Sequence, residues 1–315
     1  AIKINAQNMA SIVGTACAAG TNSIGDAFKY IQRGAAEVMV AGGAEAPISP
    51  TALAGFANMT ALNMGKDPLR ASIPFDKERS GFVMGEGSVY LVVEPLEIAK
   101  ERGANIRWVV DGLGIANDGA RATQPDLEGT GARMAMDKVF AQAGTTPYDY
   151  SVLNAHATST PFGDPVEYNV LKDYFPEGSH LYGNKGQVGH LMGASGLAEI
   201  VLGAEAMING FVPANAGLEK PFTDDGYFDL LTEVKEKKYL EAQLEKIQRA
   251  KKEALNGKRP SQMTVDELIM VQEIKGHKSG WVARVLRSRE DSIYYLKEYQ
   301  RKKKFKPKWA NFNQF

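Results

Sequence analysis

The sequence predicts an α/β protein: a largely parallel sheet covered by helices on both sides, joined to a basic, mainly helical tail. Three observations predict it. Short apolar and β-branched runs alternate with longer stretches of helical periodicity. Glycine is abundant, 32 of 315 residues, and 44% of the chain is hydrophobic, as in a globular protein with many tight turns. Charge is uneven although the net charge is zero. Residues 235–315 hold 21 Lys and Arg against 10 Asp and Glu, and residues 1–234 hold 16 against 27. After Gly226 only Gly257, Gly276 and Gly280 remain. An α/β body over residues 1–232 is therefore expected, followed by a basic helical extension over 233–315.

A single cysteine excludes a disulfide framework within the chain and points to a reducing intracellular compartment. No apolar run reaches the roughly 18 residues of a membrane span. The chain opens on Ala1-Ile2-Lys3 instead of methionine, which fits a processed or truncated start, and no targeting segment is visible.

The elements follow in order. Residues 11–13 are β-branched and read as the end of a buried strand. From Ala18 the apolar positions Ile24, Ala27, Phe28 and Ile31 recur at helical spacing, up to Gly34. Residues 37–43 form a strand ending in glycines, 47–65 a loop with a short helix, and 73–87 a glycine-rich turn. A strand over 88–94 and a helix over 95–102 follow, then a strand over 108–114 and a helix over 129–143. Residues 151–155 make a strand that runs into His156, and 165–174 a helix. Residues 193–209, apolar on most faces, make a buried helix.

Four polar positions stand out in this apolar body. Cys17 sits in a small-residue turn at the mouth of the first helix, where unpaired N–H groups and the helix dipole favour a thiolate. His156 and His190 lie in Gly/Ser/Thr-rich turns, and Lys185 lies in Gly183-Asn184-Lys185-Gly186. Singly, each has a structural explanation: a buried cysteine, a hydrogen-bonded histidine, a loop lysine. Together they suit carbon–carbon bond formation on thioesters. A thiolate accepts an acyl group, and two imidazoles stabilise the enolate left when a malonyl unit loses CO2. Zinc is the rival use of Cys plus two His, but spacings of 139 and 34 residues carry no zinc signature.

The blocks TACAAGTNSIGDAF (15–28), VMVAGGAEAPISP (38–50), PFDKERSGFVMGEG (74–87), NAHATSTPFGD (154–164) and NKGQVGHLMGASG (184–196) closely resemble the β-ketoacyl-acyl-carrier-protein synthases. Within them they look most like the type II condensing enzymes of bacteria and mitochondria. The resemblance implies a thiolase-like layered α/β/α core and acyl carrier protein as partner. It implies the mitochondrial matrix as compartment, or a bacterial-type cytoplasm. By the same resemblance Cys17 is the acyl-accepting nucleophile and His156 and His190 are the decarboxylation pair. Lys185 orders the surroundings of the second histidine with Glu199 as its carboxylate partner, and Thr158 and Thr160 bind the pantetheine arm. No metal or redox cofactor is implied; phosphopantetheine arrives with the carrier protein.

The resemblance is incomplete at both ends. The family sets about half its core ahead of the nucleophile, and here 16 residues precede Cys17. The family's C-terminal Gly-Phe-Gly-Gly-type loop has no counterpart after Lys220-Pro221-Phe222. Ile73 and Asn184 are milder departures. A homodimer, or a partner chain that completes the core, is therefore expected.

The tail reads as helical, with a two-copy repeat of period 28. Leu268, Val271, Lys275, Lys278 and Trp281 align with Leu296, Tyr299, Lys303, Lys306 and Trp309. Lys302, Lys303, Lys304 and Trp309 interleave cations with an aromatic, a pattern that suits RNA or a large partner as well as a solvated helical face. The expected function is a 3-oxoacyl-[acyl-carrier-protein] synthase. The alternative is a catalytically impaired descendant serving as a structural or adaptor subunit.

Overall fold

The computed structural model describes residues 1–120, 124–236, 239, 245 and 310–312. The expected helices form close to their predicted bounds. They are α1 (Ala19–Gln32), α2 (Pro50–Asn58), α3 (Leu96–Glu101), α4 (Thr130–Ala143), α5 (Gly163–Tyr174) and α7 (Ser195–Ile208); the single turn α6 (Lys185–Val188), where the sequence reads as a loop, adds to them. The strands are β1 (Met39–Glu45), β2 (Gly87–Val93), β3 (Val152–Ala155), β4 (His180–Tyr182), β5 (Phe211–Val212), β6 (Lys235–Glu236) and β7 (Ala310–Phe312).

β1 and β2 pair antiparallel along their whole length, from Met39 opposite Val93 to Glu45 opposite Gly87. Their side chains alternate between two faces, as the strand period of two requires. One face packs Met39, Ala41, Val89, Leu91 and Val93 against Ile24 and Ala27 of α1 and Leu197 of α7. The other leaves Val40, Tyr90 and Val92 exposed. The expected parallel sheet is thus corrected here. The only α-helix between the two strands, α2, packs Ala52 and Phe56 around Phe82, Met84 and Met192 and does not serve as a crossover on the sheet.

The parallel arrangement appears in the second sheet, where β3 lies between β4 and β7, parallel to both. β3 is buried throughout, as a strand covered on both faces must be. Leu153 and Ala155 join a core with Met136 of α4 and Tyr168, Val170 and Leu171 of α5. Val152 faces Tyr182, Val212 and Ala214 on the other side. A third, two-stranded pairing joins β5 and β6 antiparallel.

Two predicted strands do not form. Residues 11–13 lie outside any ladder, and Ile12 is 98% exposed. Residues 108–114 also join no sheet. Gly112 and Gly114 instead lie against α4, so close that a Cβ at Gly114 would fall 1.7 Å from the carbonyl oxygen of Ala135. α7 is buried over its first half, whereas Leu202 and Ile208 are exposed.

The body continues past the expected boundary, since β6 lies beyond residue 232 and β7 joins the second sheet. The two-copy repeat and the Lys302, Lys303, Lys304 and Trp309 cluster lie outside the described residues. Among the described residues no helix is long and apolar enough to cross a membrane.

Candidate active site

Cys17 occupies a 3-10 turn, Ala16–Ala18, that leads directly into α1. Ala16 holds φ at 49°, a left-handed backbone that kinks the chain just before the sulfur. The side-chain amide of Asn22, one turn into α1, donates to Thr15 Oγ1 at 2.8 Å and ties the turn down. Glycine is required beneath it. A Cβ at Gly20 would sit 2.8 Å from the Gly193 carbonyl oxygen and 3.2 Å from the Leu197 nitrogen. α1 therefore approaches the start of α7 at backbone contact, and this approach carries Cys17 toward His190.

His190 Nε2 lies 3.1 Å from Cys17 Sγ. The backbone N–H of Met192 donates to His190 Nδ1 at 3.2 Å, and Ser195 Oγ lies 2.8 Å from the same nitrogen. A ring nitrogen that accepts an N–H cannot carry a proton in the neutral imidazole, so the proton is on Nε2, facing the sulfur. His190 main chain is fixed as well, its N–H on the Val83 carbonyl and its carbonyl on the Gly85 N–H.

His156 follows β3 immediately. Lys185 Nζ stands 3.3 Å from His156 Nδ1 and also donates to the His156 carbonyl. An ammonium can only donate, so Nδ1 accepts and the proton of this ring too lies on Nε2. The two imidazoles meet edge to face with centroids 5.4 Å apart. One ring nitrogen of each and the Cys17 sulfur all lie within 4.8 Å of one another.

This triad has the donor types of a metal site, but its hydrogen bonding opposes one. Each neutral imidazole has one lone pair, on Nδ1, already engaged by Lys185 or by Met192. An Nε2–H offers a hydrogen bond, not a ligand.

Electrostatics favour neutral rings. Burial, reinforced by the Lys185 charge, holds His156 and His190 well below the usual histidine range. The expected resting thiolate is corrected. Burial pushes the Cys17 thiol up, and the Lys185 charge and a backbone hydrogen bond only partly offset it. Lys185 is completely buried and pairs with Glu199 on α7. Burial raises the Glu199 carboxyl to about 7 despite that pairing. Lys185 bonds the first histidine directly, and its charge reaches the second, His190, whose surroundings it is expected from the resemblance to order.

Thr158 and Thr160 lie half-buried on the loop just beyond His156, with their hydroxyls 3.1 Å apart. This loop is held from behind by two acids that sequence reasoning missed. Glu167 accepts the backbone N–H groups of His156 and Ala157 at 2.6 and 2.8 Å. Asp164 accepts those of Phe75 and Thr160 at 2.9 and 3.2 Å. Both are buried, and burial raises Glu167 to about 8 and Asp164 to about 6. Their signal was their spacing, three apart at the start of one helix and so on one face, right after the histidine loop.

Two family models match consecutive parts of the chain: the β-ketoacyl synthase N-terminal domain at residues 1–99 and the C-terminal domain at 108–219. The chain is 48% identical over 193 residues to 3-oxoacyl-[acyl-carrier-protein] synthase 2 of Staphylococcus aureus, covering 60% of this chain and 48% of that protein. It is 43% identical over 222 residues to the mitochondrial 3-oxoacyl-[acyl-carrier-protein] synthase of Arabidopsis thaliana, covering 68% and 48% respectively. Among solved structures, a type II polyketide ketosynthase in complex with its acyl-carrier protein superposes with a TM-score of 0.70 at 28% identity, over 75% of this chain and 59% of that one. A β-ketoacyl synthase from Burkholderia phymatum gives 0.67 at 33% identity, over 71% and 55%. The chain spans about half the length of the curated relatives it matches. Its fold is thiolase-like, and by these matches and the Cys–His–His geometry the chain belongs to the β-ketoacyl synthase family.

Proposed function

We propose that this chain carries the chemistry of a 3-oxoacyl-[acyl-carrier-protein] synthase, the decarboxylative condensation of an acyl thioester with malonyl-acyl carrier protein in fatty acid synthesis. One observation carries the reading: two imidazoles, each protonated on Nε2 by its hydrogen-bond partners, converge on one cysteine sulfur.

In the first half-reaction Cys17 Sγ attacks the acyl thioester carbon, and the thiol proton passes to the departing carrier thiolate. The acyl group is then held on Cys17. In the second, a malonyl thioester places its carbonyl oxygen against the Nε2–H groups of His156 and His190. The C–C bond to the carboxylate breaks, CO2 leaves, and the electron pair becomes an enolate whose oxygen the two N–H groups stabilise. The enolate carbon attacks the acyl carbon, and Cys17 leaves as a thiolate that takes up a proton. Rings kept neutral retain these Nε2–H donors without adding a full charge beside the thiol. Neither half needs a metal or redox cofactor.

Acyl carrier protein is the partner this chemistry calls for, with Thr158 and Thr160 as the hydroxyls for its pantetheine arm. The relatives' origins fit a mitochondrial matrix enzyme, with bacterial cytoplasm as the other setting. The completeness of the triad favours this over the adaptor reading, which needs no convergent donors. The exposed face of the β1–β2 pair fits a homodimer or partner chain.

The test uses the full chain with an acyl-carrier-protein thioester and malonyl-acyl carrier protein. Mass spectrometry is expected to find the acyl group on the Cys17 peptide, with CO2 released from the malonyl substrate. His156→Ala and His190→Ala each lower CO2 release by about 100-fold or more, the loss typical of one oxyanion donor. Absence of acylation at Cys17, or CO2 release that ignores both histidines, overturns the reading.

A further inference from the structure

The hydroxyl of Ser195 sits at the start of α7, fully buried, 2.8 Å from His190 Nδ1. It is not the N-cap of α7, a position that Ala194 holds. Burying a hydroxyl costs free energy unless it is hydrogen-bonded, and here its partner is the ring nitrogen. The Met192 N–H reaches the same nitrogen at the longer distance of 3.2 Å and from a fixed backbone direction. Two donors therefore converge on one lone pair.

We propose that Ser195 is a positioning residue that holds His190 in the Nε2–H form and aims that proton at the sulfur and at the substrate oxygen. The inference rests on the condensing reading for its catalytic consequence, but not for its tautomer. A donor at Nδ1 stabilises the lone pair there, so it disfavours both the Nδ1–H tautomer and the imidazolium. It also withdraws charge from the ring and makes Nε2–H the better donor. The groups facing His190 are Cys17 from the turn before α1, His156 from the loop after β3, and the Lys185 charge beyond that ring. None of them touches Nδ1, so among the described residues Ser195 and Met192 are the groups that bond this nitrogen and select its tautomer.

The test compares Ser195→Ala, and the shape-matched pair Ser195→Thr and Ser195→Val, in the full chain labelled with 15N histidine. The side-chain nitrogen spectrum of His190 reports its tautomer without any turnover. Wild type and Ser195→Thr are expected to show one Nε2–H form. Ser195→Ala and Ser195→Val should gain Nδ1–H or imidazolium signal, with the acidic limb of malonyl decarboxylation moved to higher pH. Their rates should fall roughly 3- to 10-fold, the scale of one hydrogen bond. A tautomer and pH profile unchanged in both Ala and Val overturn the proposal. If the tautomer shifts as expected while wild type itself releases no CO2, the condensing reading fails and the Ser195 role stands.

Discussion

The sulfur of Cys17 and Nε2 of His190, 173 positions apart in sequence, stand 3.1 Å from one another because α1 and α7 meet at glycine. At this distance the thiol still rests protonated, for burial outweighs the Lys185 charge. Alkylation by iodoacetamide needs the thiolate. Cys17 is therefore expected to react more slowly at pH 7 than an ordinary exposed cysteine, with its rate still climbing above the usual thiol range. Lys185→Met, which removes the favourable charge, moves that profile further up. Rate against pH, read on the Cys17 peptide, checks both directions.

Lys185 and Glu199 form a buried pair that stands or falls together. Glu199→Gln leaves an ammonium without its counter-charge and is expected to cost about 3–5 kcal/mol of stability. Lys185→Met leaves a carboxyl that can take a proton instead, so its cost is smaller below pH 7. The double variant Lys185→Met/Glu199→Leu is expected to be more stable than Glu199→Gln, although inactive. A denaturant-unfolding cycle across these variants measures the coupling.

Glu167 makes folding sensitive to pH in a definite sense. Its folded carboxyl is raised from 4.5 to about 8, so the folded chain binds the proton more tightly than the unfolded one. That advantage is complete below the unfolded value and is lost as pH rises through the window from about 4.5 to about 8. Glu167→Gln removes the titration. Thermal unfolding at pH 5 and pH 8 is expected to show a larger fall in Tm for wild type than for the variant. The variant is also less stable at pH 5, since its amide accepts at one oxygen where the carboxyl accepts two N–H groups.

Gly20→Ala tests the packing that assembles the site. The new Cβ meets backbone atoms of Gly193 and Leu197, which cannot rotate away, so α1 must shift. The expected cost is about 1–3 kcal/mol. Acylation of Cys17 should fall by more than that destabilisation explains, because the sulfur moves from His190. Gly55→Ala, exposed on α2 with open space around it and no left-handed backbone to strain, leaves acylation unchanged.

Much of this was legible in the chain. Helical periodicity located the core-facing helices to within a few positions, and the run at 151–155 read as a strand leading into His156. Strands 11–13 and 108–114 were misread for one reason: β-branched or apolar composition marks a segment able to pair, and pairing needs a partner edge. Gly112 and Gly114 are the clue in hindsight, since they permit close approach to α4.

For this protein, residue chemistry by itself determined the α/β class and singled out Cys17, His156, His190 and Lys185, because those depend on which groups are present and on local periodicity; Glu199 as the acid of Lys185 came from the family resemblance. Tertiary structure alone decided which histidine Lys185 bonds, that Cys17 rests as a thiol, that β1 and β2 run antiparallel, and that Ser195 and Glu167 stand behind the two histidines. Those outcomes depend on distance and burial. A charge four ångströms away or a loss of water shifts a proton, and neither is written in the order of the residues.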